Sequence, residues 1–306
     1  MSSNNVKTTV FKRRLSYLFI SCVVFVFVLV LTTALFAGQL EFHVINVGQG
    51  DSMFFKLPAG EIVLIDGGPA IAGESVVSYL KKSGVKKIDL LIATHPHEDH
   101  IGGLLSVLDS FPVSVVWDPG HNLGTATQRK FLELVKKSKS KFEIVKEGFS
   151  QKIGDLKIKI IAPVNFMQNG DDANNSSIIM YISWKNMSFL LMGDAEHKDR
   201  NIIDKYPRSV VLKVAHHGSR NGTTRSLMQK VKPQAAVVSY GEGNSYGHPH
   251  KEALKLLEEF NVKLYSTVEG NIVFKSNGEN YSVNYDKEEQ GIIDIVKSIL
   301  DIFFKW

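Results

Sequence analysis

Between residues 94 and 100 the chain reads Thr94-His95-Pro96-His97-Glu98-Asp99-His100, directly after the largely apolar run 89–93 and just before Gly102-Gly103. Three imidazoles and two carboxylates within six positions would repel one another or waste polar groups in an ordinary loop, whereas a divalent cation uses all of them. This run constrains the fold more than any other, because distant segments must deliver further ligands to it. His95 and His97 project one way from an extended segment. Asp99 and His100 turn back toward a second position.

Matching groups stand at the ends of other apolar runs. Gly193-Asp194-Ala195-Glu196 follows 188–192, His216-His217-Gly218-Ser219 follows 210–215, and Ser239-Tyr240-Gly241 leads to Tyr246-Gly247-His248-Pro249-His250. Seven of the ten histidines therefore occupy three loops that follow predicted strands. Strand ends of an open sheet are where ligands and catalytic groups gather. Asp194 is expected to bridge two metal ions, since an isolated carboxylate there is costly unless solvated or paired.

The periodicity around these loops predicts strands at 42–47, 52–57, 61–65, 88–93, 113–117, 142–145 and 156–161 in the first half, with helices at 73–82 and 127–139. The second half opens with a hairpin, 177–183 and 187–192, followed by strands at 210–215, 235–239, 262–266, 271–275 and 281–283 and a helix at 251–259. No internal repeat, low-complexity tract or long linker is found. Two β-rich halves, each with helices, fit an α+β sandwich of two sheets covered by helices.

A different constraint comes from residues 15–37, about 23 residues that are mostly Leu, Ile, Val, Phe and Ala and carry no charge, enough to cross a hydrocarbon core as one helix. A cleaved signal peptide is the competing reading, but signal cores span only about 7–15 residues. Lys7, Lys12, Arg13 and Arg14 precede the span, which places residues 1–14 in the cytoplasm and the rest outside it. Removing those four from 36 basic residues leaves 32 against 31 acidic ones, so net charge says little about the substrate. The one cysteine, Cys22, lies within the span, leaving the outer domain no disulfide and no thiolate. At the other end, apolar Ile292, Ile295, Val296, Ile299, Ile302, Phe303 and Trp306 recur at three- and four-residue steps. They predict an amphipathic helix that docks on a surface, either the membrane or another protein. The expected division is a basic N-terminus (1–14), a transmembrane anchor (15–37), a hydrolase domain (38–288) and a C-terminal helix (289–306).

The order of these motifs resembles the metallo-β-lactamase superfamily, whose signature is His-x-His-x-Asp-His after a strand. More narrowly it resembles the hydrolase domain of the ComEC family of DNA-uptake channel proteins. The pieces that carry the resemblance are Val47-Gly48-Gln49-Gly50-Asp51-Ser52, Leu64-Ile65-Asp66-Gly67-Gly68, 94–103, 191–196, 213–219 and Gly247-His248-Pro249. It implies a four-layer αββα sandwich and one or two divalent ions, zinc or manganese. His95 and His97 would hold one ion and Asp99 and His100 the other, with Asp194 between them. His216 or His217 would complete the second position; the reading leans to His217, with His216 facing substrate. Asp66 would support the histidine loop from behind, and His248 would lie near the reacting group.

Two departures stand out. Many relatives supply a further histidine where this chain reads Ala173-Asn174-Asn175-Ser176-Ser177, so the first ion is expected to be weakly held, completed by water or absent. The channel proteins carry many membrane helices, and this chain has one predicted span. Gln49 and Asp51 either shape a glycine turn or enter the site. His43 and His197 read as ordinary surface or helix residues, His121 as a solvated loop residue, and His250 as a helix cap or pocket rim.

The expected activity is hydrolysis by a metal-activated water without a protein nucleophile, which agrees with the absence of a Gly-x-Ser-x-Gly elbow and of a phosphate-binding Walker loop. A phosphodiester, DNA above all, is the substrate class the resemblance favours, with action outside the cytoplasm. Hydrolysis of small or cell-wall phosphoesters or esters is the alternative within enzymes. A non-catalytic membrane-tethered binding module is the alternative of another class.

Overall fold

The structure, a computed structural model, describes residues 38–164, 173–196 and 204–286. The apolar run 15–37, His197 and the C-terminal segment 289–306 lie outside them. Among the described residues no helix is long and apolar enough to cross a membrane.

The first half contains β1 (Leu40–Val44), β2 (Met53–Lys56), β3 (Ile62–Ile65), α1 (Gly73–Lys82), β4 (Ile88–Ile92), α2 (Glu98–Ile101), α3 (Leu104–Ser110), β5 (Val113–Asp118), α4 (Ala126–Ser138) and β6 (Lys141–Ile144). The second contains β7 (Ser150–Ile153), β8 (Leu156–Ala162), β9 (Ile179–Trp184), β10 (Met187–Leu191), β11 (Val211–Lys213), α5 (Arg225–Val231), β12 (Ala235–Val238), α6 (Lys251–Glu259), β13 (Lys263–Ser266), β14 (Asn271–Ser276) and β15 (Tyr281–Asp286). One sheet runs β15-β14-β1-β2-β3-β4-β5-β6 and the other β13-β12-β11-β10-β9-β8-β7. Each combines an antiparallel meander with a parallel stretch: β3 to β6 in the first, β10 to β13 in the second.

Strand alternation explains the layers. Phe42, Phe55, Val63, Ile65, Leu90 and Ile92 face Ile158, Met180, Phe189, Val211 and Val237 across the space between the sheets. Their neighbours Phe54, Leu64 and Leu91 turn outward and are covered by residues of α1, α3 and α4. Leu190, Leu212 and Ala236 do the same on the other sheet beneath α5 and α6. The result is helix, sheet, sheet, helix. Phe42 marks the centre of the seam, stacked on Phe55 at a 4.5 Å ring separation and edge-on to Phe189 at 5.0 Å.

Helices at 73–82 and 251–259 have the predicted bounds. Helix α4 begins one residue earlier than predicted, because Thr125 accepts the Gln128 N–H at 3.1 Å and caps it. Strand β7 was not predicted: its Ser150-Gln151-Lys152-Ile153 sequence is half exposed and offers no apolar alternation. Helices α2, α3 and α5 were also unforeseen, being too short for a 3.6-residue period to show. Two histidine readings are corrected. His43 is a buried strand residue rather than a surface or helix one, stacked on Phe54 and bonded to Tyr79 and Glu41. His121 is buried in its loop rather than solvated.

Candidate metal centre

Parallel pairing aligns the strand ends. Ile65 pairs with Ile92, so Asp66 and Thr94 leave their strands side by side. Leu191 pairs with Lys213 and Lys213 with Val237, which places Asp194, His216, His217 and Ser239 at the same end of the second sheet. The amide of Ile178 donates to the Thr94 carbonyl at 2.8 Å, joining that end to the histidine loop. Gly103 packs against Gly67 so tightly that a Cβ there would overlap the Gly67 carbonyl, which accounts for the glycine pair after the cluster.

Asp66 is fully buried in the left-handed backbone region, at φ 57°. It accepts the Thr94 amide at 2.8 Å, the Thr94 hydroxyl at 2.7 Å and His100 Nδ1 at 2.9 Å. Burial pushes its carboxyl up, opposed by His100 and Thr94. With Nδ1 engaged, His100 presents Nε2 to Asp194 Oδ2 at 3.2 Å.

His217 is fixed by the same logic. A carbonyl only accepts, so Nδ1 donates to the Ser239 oxygen at 2.9 Å, and Nε2 faces Asp99 Oδ2 at 3.2 Å and Asp194 Oδ2 at 3.4 Å. Burial alone would depress the His217 pKa, but Asp194 and Asp99 raise it to about 10. His100 is likewise held well above the usual imidazole range against its burial, by Asp194, Asp99 and Asp66. Asp194 lies well below the carboxylate range, because His217 and His100 outweigh burial.

A third group meets the same oxygen. His95 Nε2 is 3.9 Å from Asp194 Oδ2 and 3.0 Å from His97 Nδ1, while His216 Nε2 is 3.7 Å from Asp194 Oδ2. Burial and the adjacent His100 keep His95 well below the usual imidazole range. His216 and His217 are consecutive non-glycine residues in the left-handed region, at φ 46° and 51°. Each such conformation costs roughly 1–3 kcal/mol and persists where surrounding contacts require it. Here it turns two adjacent imidazoles toward one carboxylate.

Around this centre lie the remaining predicted residues. His248 is nearly buried, 5.3 Å from the His216 ring and stacked with Tyr246, and burial together with His216 and His217 lowers its pKa to about 4. His250 stands at the N-terminal cap of α6, where its ring accepts the Arg220 amide at 3.2 Å rather than capping the helix. Gln49 accepts the Gly241 amide at 3.2 Å. Asp51 stands behind His217, 3.6 Å from Nδ1, and forms an ion pair with Lys213 at 2.8 Å in which both side chains are fully buried.

Sequence reasoning assigned no role to Lys213, Glu196, Thr94 or Ser239. Lys213 carried a signal, since a lysine within Val210-Val211-Leu212-Lys213-Val214 must find a carboxylate when buried. Glu196 accepts from His216 Nδ1 at 2.7 Å and from the Ser219 hydroxyl at 2.6 Å. The histidine-free stretch 173–177 serves as a brace: Ser177 Oγ accepts the Asp194 amide at 3.1 Å and Asn175 Oδ1 the Glu196 amide at 2.9 Å.

The donor set fits a divalent ion. One atom each from Asp99, His100, Asp194 and His217 lie within 4.8 Å of one another, and Asp194 Oδ1 is buried with no hydrogen-bond partner among the described residues. Two carboxylates with imidazoles suit zinc, manganese or iron. A second grouping of Asp51, Asp66 and His100 is as close. It is already satisfied internally, by Lys213 on Asp51 and by Thr94 and His100 on Asp66.

The sequence profile of the metallo-beta-lactamase superfamily matches residues 45–242. ComE operon protein 3 of Bacillus subtilis is 31% identical over 281 residues, covering 84% of this chain and 36% of that protein. Recombination protein 2 of Haemophilus influenzae is 28% identical over 229 residues, covering 73% of this chain and 27% of its own length. The chain thus spans about a third or less of these relatives. The metallo-beta-lactamase fold protein YhfI of Bacillus subtilis superposes with a TM-score of 0.52 at 16% identity, over 78% of this chain and 100% of that one.

Proposed function

Because this chain belongs to the metallo-beta-lactamase superfamily, we propose that it is a metal-dependent phosphodiesterase acting on nucleic acid outside the cytoplasm. The observation that carries this reading is the convergence of four imidazoles, of His95, His100, His216 and His217, on Asp194 Oδ2. His95 and His97 would take one ion and Asp99, His100 and His217 the other, with Asp194 available to both. Such ions supply an acidified water and positive charge to offset a developing phosphoryl charge. Asp66 and Ser239 engage Nδ1 of His100 and of His217, so that Nε2 is the nitrogen each ring directs at the cluster. The Asp51–Lys213 pair holds the loop behind His217. His248, kept neutral by burial and its histidine neighbours, offers a hydrogen bond to a substrate oxygen.

The nucleic-acid part of this reading rests on the resemblance to DNA-uptake proteins, and the names of two relatives, Recombination protein 2 and the competence protein ComA of Neisseria gonorrhoeae (25% identical over 226 residues), agree with it. Residues 15–37 form a single anchor in this reading, with the hydrolase domain of 38–288 on the outer side and the helix of 289–306 docking on a membrane or partner surface. The test is hydrolysis by the full-length chain, purified in detergent, stripped with chelator and reloaded with zinc or manganese. Cleavage of bis-p-nitrophenyl phosphate and of DNA that returns only with metal is expected. Inactivity on both substrates with either ion would overturn the assignment.

A further inference from the structure

We propose that His216 completes the first metal position and so replaces the histidine that the stretch 173–177 does not supply. The proposal rests on the reading that His95, His97 and Asp194 hold an ion. Three imidazoles share one construction here. His100 has Nδ1 tied to Asp66 at 2.9 Å, His217 has Nδ1 tied to the Ser239 carbonyl at 2.9 Å, and His216 has Nδ1 tied to Glu196 at 2.7 Å. Each then directs Nε2 at Asp194 Oδ2, at 3.2, 3.4 and 3.7 Å respectively. An imidazole whose far nitrogen is held by a carboxylate is the arrangement that orients metal-binding histidines and raises their basicity.

Glu196 is itself held in place. It accepts the Ser219 hydroxyl at 2.6 Å and an Asn221 amide hydrogen at 3.2 Å, while its own amide donates to Asn175. A carboxylate behind an imidazole serves a metal ligand and a proton-transfer histidine alike; what points to a ligand role is that His216 Nε2 faces Asp194 as those of His100 and His217 do. The chain position fits as well. His216 and His217 are both left-handed, and their rings stand 6.0 Å apart at 65° while both direct Nε2 at the same Asp194 oxygen. His95, with Nε2 3.9 Å from the same oxygen, and His97, 3.0 Å from His95, are the two ligands for which the stretch 173–177 supplies no third histidine. The stretch 173–177 meanwhile braces Asp194 and Glu196, and so contributes to the same position indirectly.

The test is metal binding rather than turnover. The full-length chain in detergent, freed of metal, is titrated with Co2+ by calorimetry and by visible absorption. Two equivalents are expected for the wild type. In His216→Ala one of the two should weaken at least about 100-fold with its absorption band lost, and in His217→Ala the other should. Glu196→Gln, which keeps the fold contacts of a side chain of similar size, should weaken the same equivalent as His216→Ala by about 10–100-fold. Two equivalents of unchanged affinity and spectrum in His216→Ala would overturn the proposal, as would a single equivalent in the wild type. A wild type that binds no Co2+ would overturn the metal reading itself.

Discussion

Replacing Asp194 with alanine is expected to lower kcat/KM for phosphodiester hydrolysis by about a thousandfold, the equivalent of roughly 4 kcal/mol of transition-state stabilisation. The size follows from its position. Nε2 of four histidines, His95, His100, His216 and His217, lies between 3.2 and 3.9 Å from one Asp194 oxygen. No other carboxylate among the described residues lies within 4.0 Å of histidines in both halves of the cluster; Asp99 does so only for His217 and His100. Without Asp194 both ions lose a ligand and part of the charge that neutralises them. Metal content measured beside the kinetics distinguishes this from a local effect, since both should fall together. Full metal content with activity within tenfold of wild type would show that Asp194 bridges nothing.

The second large effect concerns stability. Lys213→Met should destabilise the domain by about 3–5 kcal/mol, because it leaves the Asp51 carboxylate buried and unpaired. In a domain of this size that lowers the melting temperature by on the order of 10 °C. Strand alternation makes the pair structural: Val211 faces the space between the sheets, so Lys213 does too, and it reaches Asp51 on the β1–β2 loop of the other sheet. The Asp51 amide donates to the Asp99 carbonyl at 3.2 Å, so the same pair secures the loop that bears Asp99. Combining Lys213→Met with Asp51→Leu removes both charges and should lose less than the two single changes added together. Thermal unfolding of the four proteins checks this. An unchanged melting temperature in Lys213→Met would refute the structural role of the pair.

Much of the fold could be read in the sequence because chemistry and periodicity coincided. Apolar runs ended in groups too costly to leave unpaired, and parallel pairing of β3 with β4, of β10 with β11 and of β11 with β12 then placed those ends together. What could not be read depends on backbone direction and burial. Adjacent His216 and His217 are indistinguishable in sequence; two left-handed residues separate their rings and place only His217 beside Asp99. Lys213 stood out as a lysine in an apolar run, but its partner, Asp51, comes from the opposite sheet and could not be named from the run itself. His43 gave no sign of burial because its partners Tyr79 and Phe54 come from other elements. Strand β7, polar except for Ile153, is held by its pairing with β8 rather than by any pattern of its own.

All of this turns on a cation at the Asp194 cluster. An anomalous difference map from crystals of the zinc-loaded protein, collected on either side of the zinc absorption edge, tests it most directly. The account predicts a peak shared by Asp99, His100, Asp194 and His217, with a second beside His95, His97 and His216. A map with no anomalous peak at these residues, from protein that hydrolyses phosphodiesters in solution, would contradict it.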